Sequence, residues 1–328
     1  MHFPPISPAW SVRFLFVLLA SACLSLSGLP DSSFAAPGEI DYTNHAPWHT
    51  QPPVGVPFTV YGVDNAPDLH GDPINASLVL FVAGNQFMVM PDLIAAFKRR
   101  HPEIRHIFYE TLPPGILARQ IVAKGLTIGN LHLRIQPDIY ESGKVRMESM
   151  VKKRLVLAST VVAYAKNKLA IMVYRGNPKA VRTLADLGKP GIRLSLPNPE
   201  WEGIGKQIRH SLELAGGPAL VDRIFRTKRA DGTTTLTHIH HRETAVRILD
   251  RRSDAGITWI SEILFQKSLG HPVSLVGIPD RENTRATYVA AQVRGARHRQ
   301  AAKDWLTFLS TKTAARIYTR DGFSVPSR

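Results

Sequence analysis

Cysteine is almost missing from this chain: 328 residues hold one, Cys23. It lies in an N-terminal segment with a single basic residue, Arg13, followed by the apolar and small residues Phe14 to Leu29. Ser33-Phe34-Ala35 puts small residues before a cleavage point, which is the pattern of a secretory signal peptide cut near Ala35. Ala20-Ser21-Ala22-Cys23 offers a competing lipobox, without the usual Leu at its first position, so lipid anchoring at Cys23 is the lesser reading. Cleavage near Ala35 leaves no cysteine, which excludes disulfides, thiolate metal sites and a cysteine nucleophile. The fold must then stand on its apolar core.

Long apolar runs are also absent beyond the N-terminus, where no stretch of about 20 residues could span a bilayer. An HExxH zinc motif is absent too, as is any internal repeat beyond a recurring strand-turn-helix unit. Acidic residues are scarce beside basic ones, 26 against 41, giving a net charge of +15. Arg13 and Asp31 cancel within residues 1–35, so the exported chain keeps that charge. The bases form short, distant clusters, Lys98-Arg99-Arg100, Lys152-Lys153-Arg154 and Arg251-Arg252. Dispersal of this kind, on a chain with an export signal, fits solvated helix ends and argues against a nucleic-acid partner.

What is present is an α/β pattern. The length exceeds the usual single core and predicts two lobes. Residues 36–75, rich in Pro, His, Asn and Gly, read as an extended arm held by Trp48, Phe58 and Tyr61. From there the unit strand, turn, helix recurs. Leu78-Val79-Leu80-Phe81-Val82 ends in Ala83-Gly84-Asn85-Gln86 and enters a helix through Met90, Leu93, Ala96 and Phe97. Ile107-Phe108-Tyr109 ends in Glu110-Thr111-Leu112-Pro113-Pro114-Gly115 and enters a second helix at Ile116. Leu169 to Tyr174 is a long apolar strand, Gly191 to Leu196 another, and Asp254 to Trp259 a third; Ala301 to Tyr318 suits a C-terminal helix pair.

Ligands collect at strand ends in open α/β sheets, and helix N-termini add unpaired amides and partial positive charge. The candidate ligand-binding residues therefore come from the turns. Asn85 and Gln86 occupy the first, where Asn also caps helices. Thr111 and Gly115 occupy the second, and Tyr140 and Ser142 follow a short strand at Gln136–Ser142. Trp201 and Glu202 lie in the turn Pro197-Asn198-Pro199-Glu200-Trp201-Glu202-Gly203, where an aromatic ring beside a carboxylate suits a cationic or organic ligand. Thr237-His238-Ile239-His240-His241-Arg242-Glu243 is the densest constellation. On an extended segment His238 and His240 share one face, a spacing compatible with one metal ion, although loop histidines are commonly structural. Trp259 and Glu262 end the strand from Asp254. Arg242 could pair with an anion bidentately.

In their order, these residues resemble the periplasmic substrate-binding proteins of ABC importers, in particular the group that includes molybdate-binding proteins. The segments that carry the resemblance are Leu78 to Gly84, Leu117-Ala118-Arg119-Gln120-Ile121, Gln136 to Tyr140, Tyr164 to Val173, Gly176-Asn177-Pro178, Leu184 to Leu187 and Ser253 to Trp259. It covers residues 76–325 and rests on colinearity. The resemblance implies a two-lobed periplasmic binding protein of type II, with chain crossings near Val161–Ala165 and Thr258–Ile263. Lobe one is then 76–163 and 261–328, and lobe two 164–260. It further implies hinge closure on a small ligand, delivery to an ABC permease, and a monomer in the periplasm with no catalytic residue, cofactor or resident metal. Where molybdate binders carry serine hydroxyls, this chain has Gly84-Asn85-Gln86 and Glu110-Thr111-Leu112, and their tyrosine falls at Trp259.

The function expected is thus capture of a small solute, with molybdate-like oxyanions among the candidates. Glu110, Glu202 and the histidines support a second reading, a receptor for a metal cation or small organic solute. A third, from another class, is a metal-dependent hydrolase using His238 and His240 with Glu202 or Glu243 as general base.

Overall fold

The computed structural model describes residues 68–328 except 129–130, 201, 238–239 and 327–328. The signal segment with Cys23, residues 36–67 of the 36–75 arm, Trp201 and His238 lie outside the described residues. No described helix is long and apolar enough to cross a membrane.

The twelve described strands are β1 (Leu69–His70), β2 (Leu78–Phe81), β3 (Ile107–Glu110), β4 (Leu126–Ile128), β5 (Leu131–Leu133), β6 (Ile139–Gly143), β7 (Val162–Tyr174), β8 (Leu194–Leu196), β9 (Thr234–Leu236), β10 (Ala255–Trp259), β11 (Val273–Gly277) and β12 (Arg285–Gln292). The longer helices are α1 (Met90–Arg100), α2 (Pro114–Ala123), α3 (Lys144–Lys152), α4 (Gly203–Asp222), α5 (Glu243–Leu249), α6 (Ile260–Ser268), α7 (Arg299–Leu309) and α8 (Lys312–Arg320). Nine strands form the path β1-β3-β2-β6-β12-β7-β10-β8-β9, with β11 beside β7 and the hairpin β4-β5 apart.

The joint between the two halves of this sheet is β7. Its first part pairs antiparallel with β12 through Val162 to Lys168, and its second part pairs with β10 and β11 through Leu169 to Tyr174. The apolar run Leu169–Tyr174 therefore forms only the far part of a strand that starts at Val162. The less apolar Val162–Lys168 stretch becomes strand because β12 supplies its partner, a long-range pairing that local composition does not announce. β11 lies along the far part of β7, so by strand pairing the chain returns to the near half between Gly277 and Arg285. That is later than Thr258–Ile263, because α6 is followed by one more far-half strand.

The near half is covered on both faces, which explains why β2 reads as an unbroken apolar run. Leu78 and Leu80 face one core with α1, α7 and α8, where the ring of Phe97 meets Trp305 and Phe308 edge-on at 5.0 and 5.5 Å. Val79 and Phe81 face the other core with Phe108, Leu117, Ile121, Met147 and Met150. Helix α8 begins with Thr311, whose hydroxyl caps it by accepting from the Ala314 amide.

Among the carboxyls buried inside this half, Glu110 and Glu141 have no cationic partner. Side chains alternate along β3, so Glu110 shares the face of Phe108 and points toward α2. Burial pushes its pKa up to about 8, and Gln120 pulls the other way without reaching hydrogen-bond geometry. Glu141 accepts from the indole Nε1 of Trp305 at 2.7 Å, and burial lifts its pKa to about 7. Both acids hold their protons more tightly in the fold than in the unfolded chain, where the reference value is 4.5. Their stabilising contribution is complete below that value and is lost as pH rises through about 7 and about 8. The urea midpoint should accordingly fall as pH rises from about 4.5 and level off above about 8, and Glu110→Gln should flatten that fall. An unchanged pH slope in Glu110→Gln would assign the effect elsewhere.

Candidate functional site

A buried polar cluster forms where the ends of near-half strands meet the loops of the far half. From the near half come Asp68, just before β1, Gly84 and Asn85 after β2, and Thr111 after β3. From the far half come Glu202, the N-cap of α4, and His240, His241 and Arg242, which lead into α5. Thr258 and Glu262 join them from the junction of β10 and α6.

His241 is the centre. Its Nδ1 lies 2.9 Å from Glu202 Oε2 and its Nε2 lies 2.5 Å from Glu262 Oε1, and its backbone N–H also donates to Glu202 Oε2 at 2.8 Å. The hydroxyl of Thr237 donates to the other Glu202 oxygen at 2.6 Å, and that of Thr258 donates to Glu262. Burial alone would strip the proton from His241, but the carboxylates of Glu262 and Glu202 outweigh it and raise the pKa to about 9. The ring is then an imidazolium that donates to both acids.

Its neighbour His240 behaves oppositely. Its ring lies 4.4 Å from that of His241, and Nε of Arg242 lies 3.1 Å from its Nε2. Burial, then the charges of Arg242 and His241, hold its pKa well below the ordinary value, so it is neutral.

Arg242 ties the halves together. Its Nη2 donates to Asp68 Oδ1 at 2.5 Å and to the Thr111 carbonyl at 3.1 Å, and its guanidinium lies 4.7 Å above the ring of Phe87. Thr111 Oγ1 donates to the same Asp68 oxygen at 3.1 Å. Burial pushes the Asp68 carboxyl up against the pull of Arg242. Gly84 closes over His240: a Cβ built there would lie 2.7 Å from both His240 Nε2 and the Thr111 carbonyl oxygen. Only a residue without a side chain permits that approach.

Of the residues singled out from sequence, Glu202, His240 and Glu262 come together, with Thr111 adjoining through Asp68 and Arg242. Asn85 Nδ2 donates to the hydroxyl of Tyr288 at 2.5 Å, and Trp259 packs edge-on to the same Tyr288 ring at 6.2 Å. Gln86 turns inward, donating to the Tyr164 hydroxyl at 2.7 Å and accepting from Tyr318 at 2.8 Å. Tyr140 is buried in the core beside α2, its hydroxyl donating to the Pro114 carbonyl at 2.8 Å. Ser142 is buried and donates to the Gly143 carbonyl at 3.3 Å, and Gly115 lies half-buried in the first turn of α2. Glu110 faces α2 and is not part of the cluster.

Asp68 and Tyr288 are absent from the residues picked out in sequence, and His241 is named there only as part of the Thr237–Glu243 constellation, with His238 and His240 as its metal-facing pair. Alternation along an extended segment pairs His238 with His240, but residues 240–243 are already in a helical turn, with Glu243 N–H bonded to His240 O and Thr244 N–H to His241 O. Successive side chains there diverge by about 100° instead of 180°. His241 thereby reaches both carboxylates. The density of Thr237–Glu243 was the available signal; Asp68 and Tyr288 carried none.

Comparison with known proteins bears on the fold and the family. The molybdate-binding protein ModA of Mycobacterium tuberculosis is 21% identical over 250 residues, 76% of this chain and 85% of that protein. Among solved structures, the periplasmic molybdate-binding protein of Azotobacter vinelandii superposes with a TM-score of 0.62 at 16% identity, covering 76% of this chain and all (100%) of that one. The sulfate-binding protein SubI of M. tuberculosis gives a TM-score of 0.61 at 20% identity, covering 75% and 85%. These likenesses show a two-lobed α/β binding-protein fold. The family model for bacterial extracellular solute-binding proteins matches residues 78–324. Members of that family bind solutes for transport and are not enzymes, which sets aside the hydrolase reading. The chain belongs to the bacterial extracellular solute-binding protein family.

Proposed function

We propose that this protein captures a small charged solute between its two lobes, at the His241 cluster, and presents the closed form to a membrane permease of the ABC class. The observation that carries this reading is the Asp68–Arg242 contact: a buried ion pair whose partners belong to opposite halves of the sheet. Such a pair forms only when the halves meet, which is what hinge closure around a ligand requires.

In this reading lobe one comprises 76–163 and 261–328 except β11, and lobe two comprises 164–260 with β11, which pairs with the far part of β7. The hinge is the middle of β7 and the return into β12. Asn85, Thr111, Glu202, His240, Trp259 and Glu262 serve the solute, with His241 and Arg242 beside them. Export by a signal peptide cut near Ala35 places the protein in the periplasm, where it acts as a monomer. The relatives named for molybdate and sulfate make oxyanions candidates for the solute. Glu202 and Glu262 favour the alternative charge.

Two measurements test the reading. Thermal denaturation of the exported protein against molybdate, tungstate, sulfate, phosphate, divalent metals and small organic ions should show a raised midpoint for one class, by roughly 2.7 kcal/mol of stabilisation at a hundredfold excess over Kd. No response to any of them would remove the solute-binding site from this cleft. Gly84→Ala should cost about 1–3 kcal/mol through overpacking against the Thr111 carbonyl and His240. It should also weaken whichever ligand binds, and reduce the ligand-induced fall in radius of gyration measured by small-angle scattering. Full ligand affinity and compaction in Gly84→Ala would show that the lobes do not close at this glycine.

A further inference from the structure

The cluster at the cleft is built as a donor set for a cation. One ligating atom from each of Glu202, His240 and His241 lies within 4.8 Å of the other two, and all three side chains are buried. Glu262 lies 2.5 Å from His241 Nε2, on the side of the ring away from Glu202, and so orients that imidazole from outside the group. A carboxylate and two imidazoles are the oxygen and nitrogen donors that divalent transition metals take. The edges of a tetrahedral site with bonds of 2.0–2.1 Å are roughly 3.3 Å, so side-chain rotation within the cluster closes the gap.

The surroundings are those of oriented ligands. The hydroxyl of Thr237 and the backbone N–H of His241 hold Glu202, and the hydroxyl of Thr258 holds Glu262. Outer partners of this kind fix the direction of a coordinating carboxylate. Gly84 of the opposite lobe covers His240, which shuts water out on closure.

Charge decides between cation and anion. A divalent oxyanion in this position would face Glu202 and Glu262 in a buried setting, where like charges repel strongly. Arg242, the guanidinium next to them, is already bonded to Asp68. A dication that displaces the His241 proton to solvent leaves two neutral imidazoles beside the carboxylates of Glu202 and Glu262, and the charges balance to zero.

We propose that the solute held by Glu202, His240 and His241, with Glu262 orienting His241 through its other ring nitrogen, is a divalent transition-metal cation. The inference rests on the reading of this cleft as the solute site.

The experiment uses the exported protein, stripped with a chelator and dialysed, in calorimetric titrations with zinc, nickel, cobalt and manganese chlorides and, separately, sodium molybdate, tungstate and sulfate. One of the metals should bind at one ion per chain, and cobalt should give visible absorption bands of nitrogen and oxygen coordination. Glu202→Gln, which keeps the shape of the side chain, should abolish that binding while circular dichroism stays unchanged. Thr237→Ala should weaken it by about 10–100-fold. His101, Glu103 and Asp304 form a second, more exposed metal-type group and provide the control. Metal binding that survives Glu202→Gln and disappears in His101→Ala would overturn the proposal. Oxyanion binding without metal binding would overturn it too, while leaving the cleft as the solute site. Silence in both series would overturn the proposal, and the cleft reading would fall with it if the small organic ions also left the thermal midpoint unchanged.

Discussion

The imidazole of His241 is held between the carboxylates of Glu202 and Glu262, at 2.9 and 2.5 Å, in a place shielded from water. Two acids could not be buried so close without a positive group between them, since an unpaired buried charge costs several kcal/mol. The loop between β9 and α5 must therefore deliver His241 to this point, and the starts of α4 and α6 must bring their acids to meet it. Thr237 and Thr258 complete the arrangement by donating to those acids. The cleft is thus organised around a charge balance that a bound ion could take over from a proton.

That balance lies at the meeting of two halves which share a strand. β7 pairs with β12 along its first part and with β10 and β11 along its second, so a small change in twist along one strand reorients one half against the other. The Asp68–Arg242 pair and the contact of Gly84 with His240 are made across this joint. A buried ion pair and a backbone approach that only glycine allows thus span the two halves.

Charge is handled differently inside the near half. Glu110 and Glu141 are buried without a cationic partner, and burial raises their pKa values to about 8 and about 7. Glu110 looks in sequence like a cleft residue because it follows an apolar strand. One step of alternation along β3 sends its side chain toward α2 instead, and the next residue, Thr111, joins the cluster through Asp68. The position of a turn is readable from composition, whereas the side that each turn residue faces depends on strand register.

The sequence by itself determined the α/β class, the order of the strands and helices, the turns at which a ligand would be met, and the concentration of histidines before α5. Apolar runs and turn residues act over a few positions, so local physics suffices for them. Tertiary structure alone decided the rest. The extension of β7 back to Val162 required β12 as a partner, more than a hundred residues later in the chain. Asp68 and Tyr288 entered the cleft through strand pairing that no local pattern announces. The choice of His241 as the bridge between Glu202 and Glu262 required a helical turn where alternation predicts an extended chain. Burial then set the protonation of each group, because the cost of a charge depends on what the folded chain places around it.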